Sequence, residues 1–245
     1  MKPILVMAAV AATVAGGPVT AATNLIVNGS FETGDFAGFV HSNAPSAYQA
    51  VVLDYGSTNS YQTSGGGAFG EAVPVDNATG SLSPDAAGAH GAYFVADNSV
   101  NEAISQLTAL HPGNYEIGFD AYLPQNGANN PFNATINGSI IGVNVANLTA
   151  SEIGATHWFN ISGVASVSLA GRYLTAFTYN SNGSPAKDFV IDKVYVVATE
   201  KTATFTIPPT PTAAIPEPAT WGLMIAGFVM VGASMRRRTQ NAVSA

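Results

Sequence analysis

Between residues 24 and 199 the chain is interrupted at short intervals by Gly, Pro and Asn, and the pieces between are apolar runs or apolar–polar alternations of strand length. Alternation with a period of two marks a strand, and no stretch here carries the roughly 3.6-residue period of a convincing amphipathic helix. Residues 48–55 (YQAVVLDY) and 91–96 (GAYFVA) are bounded apolar runs, and residues 101–110 (NEAISQLTAL) alternate after a polar start. In residues 115–123, Tyr115, Ile117, Phe119, Ala121 and Leu123 take one side, and Glu116 and Asp120 take the other, where acids normally face water. Asn137-Gly138 is the strongest hairpin signal, because a type I′ turn needs two residues that accept positive φ. Residues 158–161, 166–169 and 172–179 extend the series. In the last run, residues 188–197 (DFVIDKVYVV), Phe189, Ile191, Tyr195 and Val197 are expected to share one face. The Gly-rich residues 56–91 read as a loop region at one rim. Short strands with turn clusters throughout imply an all-β, antiparallel β-sandwich.

The two ends are different. Residues 219–235 are an apolar run preceded by Pro216, Glu217 and Pro218 and followed by Arg236, Arg237 and Arg238. As a helix this run rises about 25 Å, a little short of a hydrocarbon core about 30 Å thick. Trp221 serves as an interfacial anchor at one end, and the arginines fix the other end in the cytoplasm. The body is therefore expected outside, with residues 239–245 as a cytoplasmic tail. At the start, Lys2 precedes an apolar segment, then Gly16, Gly17 and Pro18, and the small residues Thr20, Ala21 and Ala22. That order is expected of a signal peptide, residues 1–22, cleaved by signal peptidase after Ala22.

The triplet, apolar helix and basic stop at residues 216–238 resemble the PEP-CTERM sorting signal of Gram-negative bacteria, in the variant with Trp three residues after the second proline. Gly222 stands where that variant usually has alanine. The resemblance implies processing near the triplet by an exosortase, a transient inner-membrane intermediate with a periplasmic body, and association with exopolysaccharide. On the residues alone, a plain single-pass anchor is the alternative.

Charged residues are only 9% of the chain. Between residues 23 and 199, thirteen acids stand against Arg172, Lys187 and Lys193, which leaves the body at −10. This balance argues against nucleic acid and anionic lipid as partners, because their binding requires clustered cations. Without cysteine, no disulfide or thiolate chemistry is available. Residues 200–215 (EKTATFTIPPTPTAAI) read as an extended Thr/Pro linker between a domain at 23–199 and the sorting signal.

The body resembles the jelly-roll, galactose-binding-like carbohydrate-binding modules at both of its ends. The opening signature is Asn28, Gly29, Phe31, Glu32, Gly34, Gly38 and Phe39; the closing one is Phe189, Ile191, Asp192, Val194 and Val196. Phe39 replaces the usual tryptophan, and Lys193 replaces a second aspartate. The resemblance implies a jelly-roll sandwich and a structural Ca²⁺ where the ends meet, with Glu32 and Asp192 as oxygen ligands. The alternative is that Glu32 caps a turn and Asp192 pairs with Lys193 or Lys187 at the surface. Sugar binding combines an aromatic platform with a few polar anchors. Trp158, Tyr48, Tyr55 and Tyr61 are the candidates, with core packing as the competing role for each.

Nothing marks a catalytic site: the histidines have no metal spacing, and no carboxylate pair is singled out. The expected protein is a non-enzymatic, exported surface or matrix protein, structural or adhesive, associated with extracellular polysaccharide in a biofilm. A carbohydrate-binding module of defined specificity is the alternative, and a secreted glycan hydrolase the third.

Overall fold

The computed structural model describes residues 23–43, 49–59, 66–69, 74–77, 82–86 and 88–209. The expected signal peptide, the sorting tail and the aromatics Tyr48 and Tyr61 lie outside the described residues. The chain divides at Pro208 into two units, Met1–Pro208 and Pro209–Ala245. No helix among the described residues is long and apolar enough to cross a membrane.

The described strands are β1 (Val40–Ser42), β2 (Val51–Asn59), β3 (Gly66–Phe69), β4 (His90–Phe94), β5 (Glu102–Leu110), β6 (Gly113–Tyr122), β7 (Ala134–Ile140), β8 (Val143–Thr149), β9 (Trp158–Val167), β10 (Gly171–Ser181), β11 (Phe189–Ala198) and β12 (Phe205–Ile207). A single turn of helix, α1 (Gln125–Asn129), follows β6. The strands form a five-stranded sheet in the order β1-β5-β10-β7-β8 and a seven-stranded sheet in the order β12-β9-β6-β11-β4-β2-β3. Pairing is antiparallel except at the two edges of the larger sheet, where β12 joins β9 and β3 joins β2 in parallel.

The alternation in the sequence puts one face of each sheet inside. Ile117, Phe119 and Ala121 of β6 meet Tyr173, Phe177 and Tyr179 of β10 in one core cluster. Rings bridge the two sheets, Phe119 against Phe177 edge-on at 6.0 Å and Phe94 against Tyr179 at 5.7 Å. Aromatic pairs in this geometry add about 0.5–1.5 kcal/mol each beyond area burial. The core cluster runs from Ile26 to Ile207, so the sandwich contains its own core.

Four local expectations are corrected. Asn137-Gly138 lies inside β7, and the reversal falls at Ile141-Gly142, both at positive φ (43° and 80°). Gly138 faces inward instead, where a Cβ would stand 3.4 Å from Ile117 and Phe177. The runs 158–161 and 166–169 belong largely to one strand, β9; the intervening Gly163 admits the β8 backbone, whose Val145 carbonyl oxygen would lie 2.0 Å from an added Cβ. In β11 the register shifts between Asp192 and Tyr195 at Lys193, which has φ 47°. This bulge turns Val194 and Val196 into the core with Phe189 and Ile191, and moves Tyr195 and Val197 to the other face. Finally, the expected linker is docked over its described part. Phe205 packs on the core and Ile207 is buried, Thr204 N donates to the Val164 carbonyl, and Lys201 Nζ reaches Glu116 Oε2 at 2.7 Å. The apolar–polar alternation of Thr204, Phe205, Thr206 and Ile207 makes an edge strand.

Candidate functional site

The opening motif folds onto the closing strand. Asn28, at φ 57°, donates its amide to the carbonyls of Asp35 and Ala37 and accepts from Thr33 N, which pins the loop that follows. Gly29 accepts the Val194 N–H at 2.9 Å, and a Cβ there would lie 2.2 Å from the Val194 carbonyl oxygen, so only glycine permits this approach. Phe31 is fully buried against the rings of Phe36 and Phe39, at 5.9 and 5.7 Å. Glu32 Oε1 accepts the backbone N–H groups of Ala89 and His90, each at 3.0 Å. His90 in turn stands between carboxylates, with Nδ1 3.4 Å from Glu32 and Nε2 2.9 Å from Asp54.

Alternation with the core-facing Phe189 and Ile191 puts Asp192, the last residue before the bulge, on the outer face of the seven-stranded sheet, directly across from Asp120 of β6. Both carboxylates are buried, at 0% and 2% exposure. The Asn77 amide donates to both, at 3.0 Å to Asp192 and 2.9 Å to Asp120. Tyr55 O–H donates to Asp192 at 2.6 Å, the Lys193 backbone N–H donates to its other oxygen, and Asn160 donates to Asp120 at 2.8 Å. The acids expected to face water are therefore the centre of a hydrogen-bonded network, and Glu116, also buried, is tied to Ser162 and Lys201.

Burial pushes the Asp192 carboxyl up to about 7, against the pull of the Tyr55, Asn77 and Lys193 donors, and the Asp120 charge adds to the rise. Burial and the Asp192 charge push the Tyr55 phenol far above its ordinary range, so it stays protonated and serves as the donor of this bond.

Beside the network the same face turns aromatic. Trp158 pairs across strands with Tyr122, ring centres 5.3 Å apart, and meets Tyr55 edge-on at 6.0 Å. Its indole N–H donates to the Asp76 carbonyl at 2.7 Å, which fixes the ring against the segment that also supplies Asn77. Leu53, Tyr93 and Val190 complete a small apolar cluster under these rings, separate from the main core. Gly118 makes room for the Tyr195 ring to lie across β6: a Cβ there would be 2.5 Å from the phenol oxygen.

Of the residues singled out in the sequence, Trp158, Tyr55 and Asp192 come together, while Glu32 is engaged by separate donors. Glu32 accepts two backbone N–H groups, and Asp192 accepts from Tyr55, Asn77 and the Lys193 N–H. Among the described residues no group of three or more His, Asp or Glu is placed to hold a metal ion. These donors make each carboxylate a hydrogen-bonded staple between segments. Pairing of Asp192 with a lysine ammonium at the surface is likewise replaced by burial and the Tyr55–Asn77 contacts. Sequence reasoning missed Asp120, Asn160, Tyr122 and Asn77. The first three share the strand parity of Trp158 or of each other and were within reach of a period-two argument; Asn77 sits in a Gly-rich stretch with no local signal.

Three solved structures are similar to this chain. TmCBM61, solved in complex with beta-1,4-galactotriose, is 19% identical, with 72% of this chain and 99% of that one covered and a TM-score of 0.42. The CBM22-1 xylan-binding domain of Paenibacillus barcinonensis Xyn10C is 12% identical over 75% and 99% of the two chains, with a TM-score of 0.44. A cyclase from Fischerella sp. TAU is 12% identical over 74% and 98%, with a TM-score of 0.48. These likenesses assign neither ligand nor activity to this chain. No curated protein matches it. The family model that matches is the PEP-CTERM protein-sorting motif, over residues 214–238. The chain thus carries a PEP-CTERM sorting motif behind a β-sandwich body.

Proposed function

We propose that this protein is exported, released from its signal peptide, processed near Pro216–Pro218 by an exosortase, and kept at the cell surface or in the extracellular matrix. There its sandwich body engages polysaccharide through the outer face of the seven-stranded sheet, in a structural or adhesive role. The observation that carries the binding half is the junction of partly exposed Trp158 and Tyr55 with the exposed Asn160 amide, itself held by buried Asp120. A sugar ring offers an apolar C–H face and a rim of hydroxyls, and this junction supplies a ring and a preset amide for the two.

A hydrolytic role fits poorly. Glycoside hydrolysis needs one carboxyl free to protonate the leaving oxygen and a second free to attack or to activate water. Asp120 and Asp192 face each other, are buried, and share one amide donor. Glu32 and Asp192 act as staples in this reading, and calcium is not needed for folding.

The test is a glycan array probed with residues 23–208. Binding to uncharged polysaccharide that falls about 100-fold in Trp158→Ala and is largely kept in Trp158→Phe supports the proposal. Equal binding by all three proteins overturns the face assignment, and reducing-sugar release by the purified body overturns the non-enzymatic reading. Intact mass of the product from its host tests the trimming step at both ends.

A further inference from the structure

The outer face of the five-stranded sheet has no role in that reading, and its chemistry is unlike the rest of the body. The outward positions of β1, β5, β7, β8 and β10 carry a single charged residue, Arg172, on a body of net charge −10. Small residues keep it low, and its central hydroxyls turn back onto the sheet: Ser105 donates to the Val40 carbonyl and Ser139 to the Ala176 carbonyl. Above this floor stand Leu107 and Leu174, directly opposite each other across β5 and β10, at 53% and 46% exposure, with Val40 of β1 at 66%.

We propose that this face binds a second copy of the chain, sheet against sheet about a two-fold axis. The charge distribution selects the occupant. Two bodies of net charge −10 repel least where neither carries acids, and within the described sheets this is the face without them. The hydroxyls of Ser105 and Ser139 are committed to the backbone and no aromatic ring stands on the face, so it lacks what a sugar chain requires. A leucine pair on a low, acid-free floor is self-complementary, as an isologous contact must be, and sheets so packed lie roughly 10 Å apart. The dimer turns the two seven-stranded faces outward on opposite sides. If those faces bind polysaccharide as proposed above, one dimer bridges two strands of it, with the gain in avidity that two linked sites confer.

Sedimentation velocity on residues 23–208, run from about 5 to 500 µM, tests the contact without reference to any glycan. The expected result is a monomer–dimer equilibrium that tightens several-fold when salt rises from about 20 to 300 mM, because screening relieves the mutual repulsion. Leu174→Glu and Leu107→Glu, at exposed positions, are each expected to weaken the dimer at least 10-fold while leaving the thermal midpoint within about 3 °C; Trp158→Ala leaves dimerisation unchanged. A wild-type monomer across the range overturns the proposal, as does a dimer indifferent to both leucine changes or one lost in Trp158→Ala. Retained glycan binding by monomeric Leu174→Glu leaves the polysaccharide reading standing by itself.

Discussion

The two outer faces of this sandwich arise from the same alternation of strand residues and end in opposite chemistry. On the seven-stranded sheet the outward positions hold carboxylates, amides and large rings, and covering segments such as that around Asn77 bury them. On the five-stranded sheet they hold small residues, hydroxyls returned to the backbone, a few amides, the single charge of Arg172 and an exposed leucine pair. A buried polar network is costly unless every member is satisfied, so it is retained where geometry must be held. A neutral floor makes no such demand. The contrast puts strict geometric demand on one side of the molecule and tolerance of small changes in stability on the other.

The largest test of this contrast is Gly118→Ala. The added Cβ meets the Tyr195 ring and the Ile161 carbonyl at 2.5–2.6 Å, and the carbonyl belongs to the backbone of a paired strand. A loss of about 2–3 kcal/mol in urea denaturation is expected, the upper range for overpacking. Tyr55→Phe comes next: removing the donor to a buried carboxylate is expected to cost about 1.5–2 kcal/mol at pH 8. It also raises the Asp192 carboxyl further, since the Tyr55 bond pulls it down.

The pH response is of similar size and has a definite sign. Asp192 is near 3.8 when unfolded and about 7 when folded, so the folded state holds the proton more tightly. Its contribution is therefore most favourable at low pH, is lost as pH rises from about 4 to 7, and is flat above that. A 3-unit rise corresponds to at most roughly 4 kcal/mol; relaxation around the site brings the expected loss to about 2. Denaturant midpoints of wild type and Asp192→Asn across that window check it: the variant is expected to lack this component of the slope. The smallest effect is on the other face, where Thr178→Val is expected to stay within about 0.5 kcal/mol. A large loss there would erase the contrast. Added EDTA is expected to leave the thermal midpoint of the body unchanged.

Much of this was legible in the sequence because it is local. Short alternations specified strands and a sandwich, and the opening and closing motifs announced that the two ends of the body meet. What failed to show depended on distant chain segments. The bulge at Lys193 has positive φ without a glycine to mark it, so parity along β11 was misassigned after Asp192. Gly138 reads as a turn residue and Gly118 and Gly163 carry no local signal, yet each is small because a side chain or backbone from another strand presses on it. The hairpin turn used Ile141, a β-branched residue that local preference would place last at positive φ. Buried acids on β6 look like solvent-facing acids until Asn77, Asn160, Ser162 and Lys201 arrive from elsewhere.

The central claim, that the aromatic and amide face of the seven-stranded sheet takes the polysaccharide, is tested most directly by calorimetric titration of purified host exopolysaccharide into residues 23–208 and into Asn160→Ala. Asn160 is exposed and its amide is set by Asp120, so the change leaves the rings in place. The account predicts measurable binding by the wild type and about 10-fold weaker binding by the variant. Undiminished binding in Asn160→Ala and in Trp158→Ala alike would contradict it.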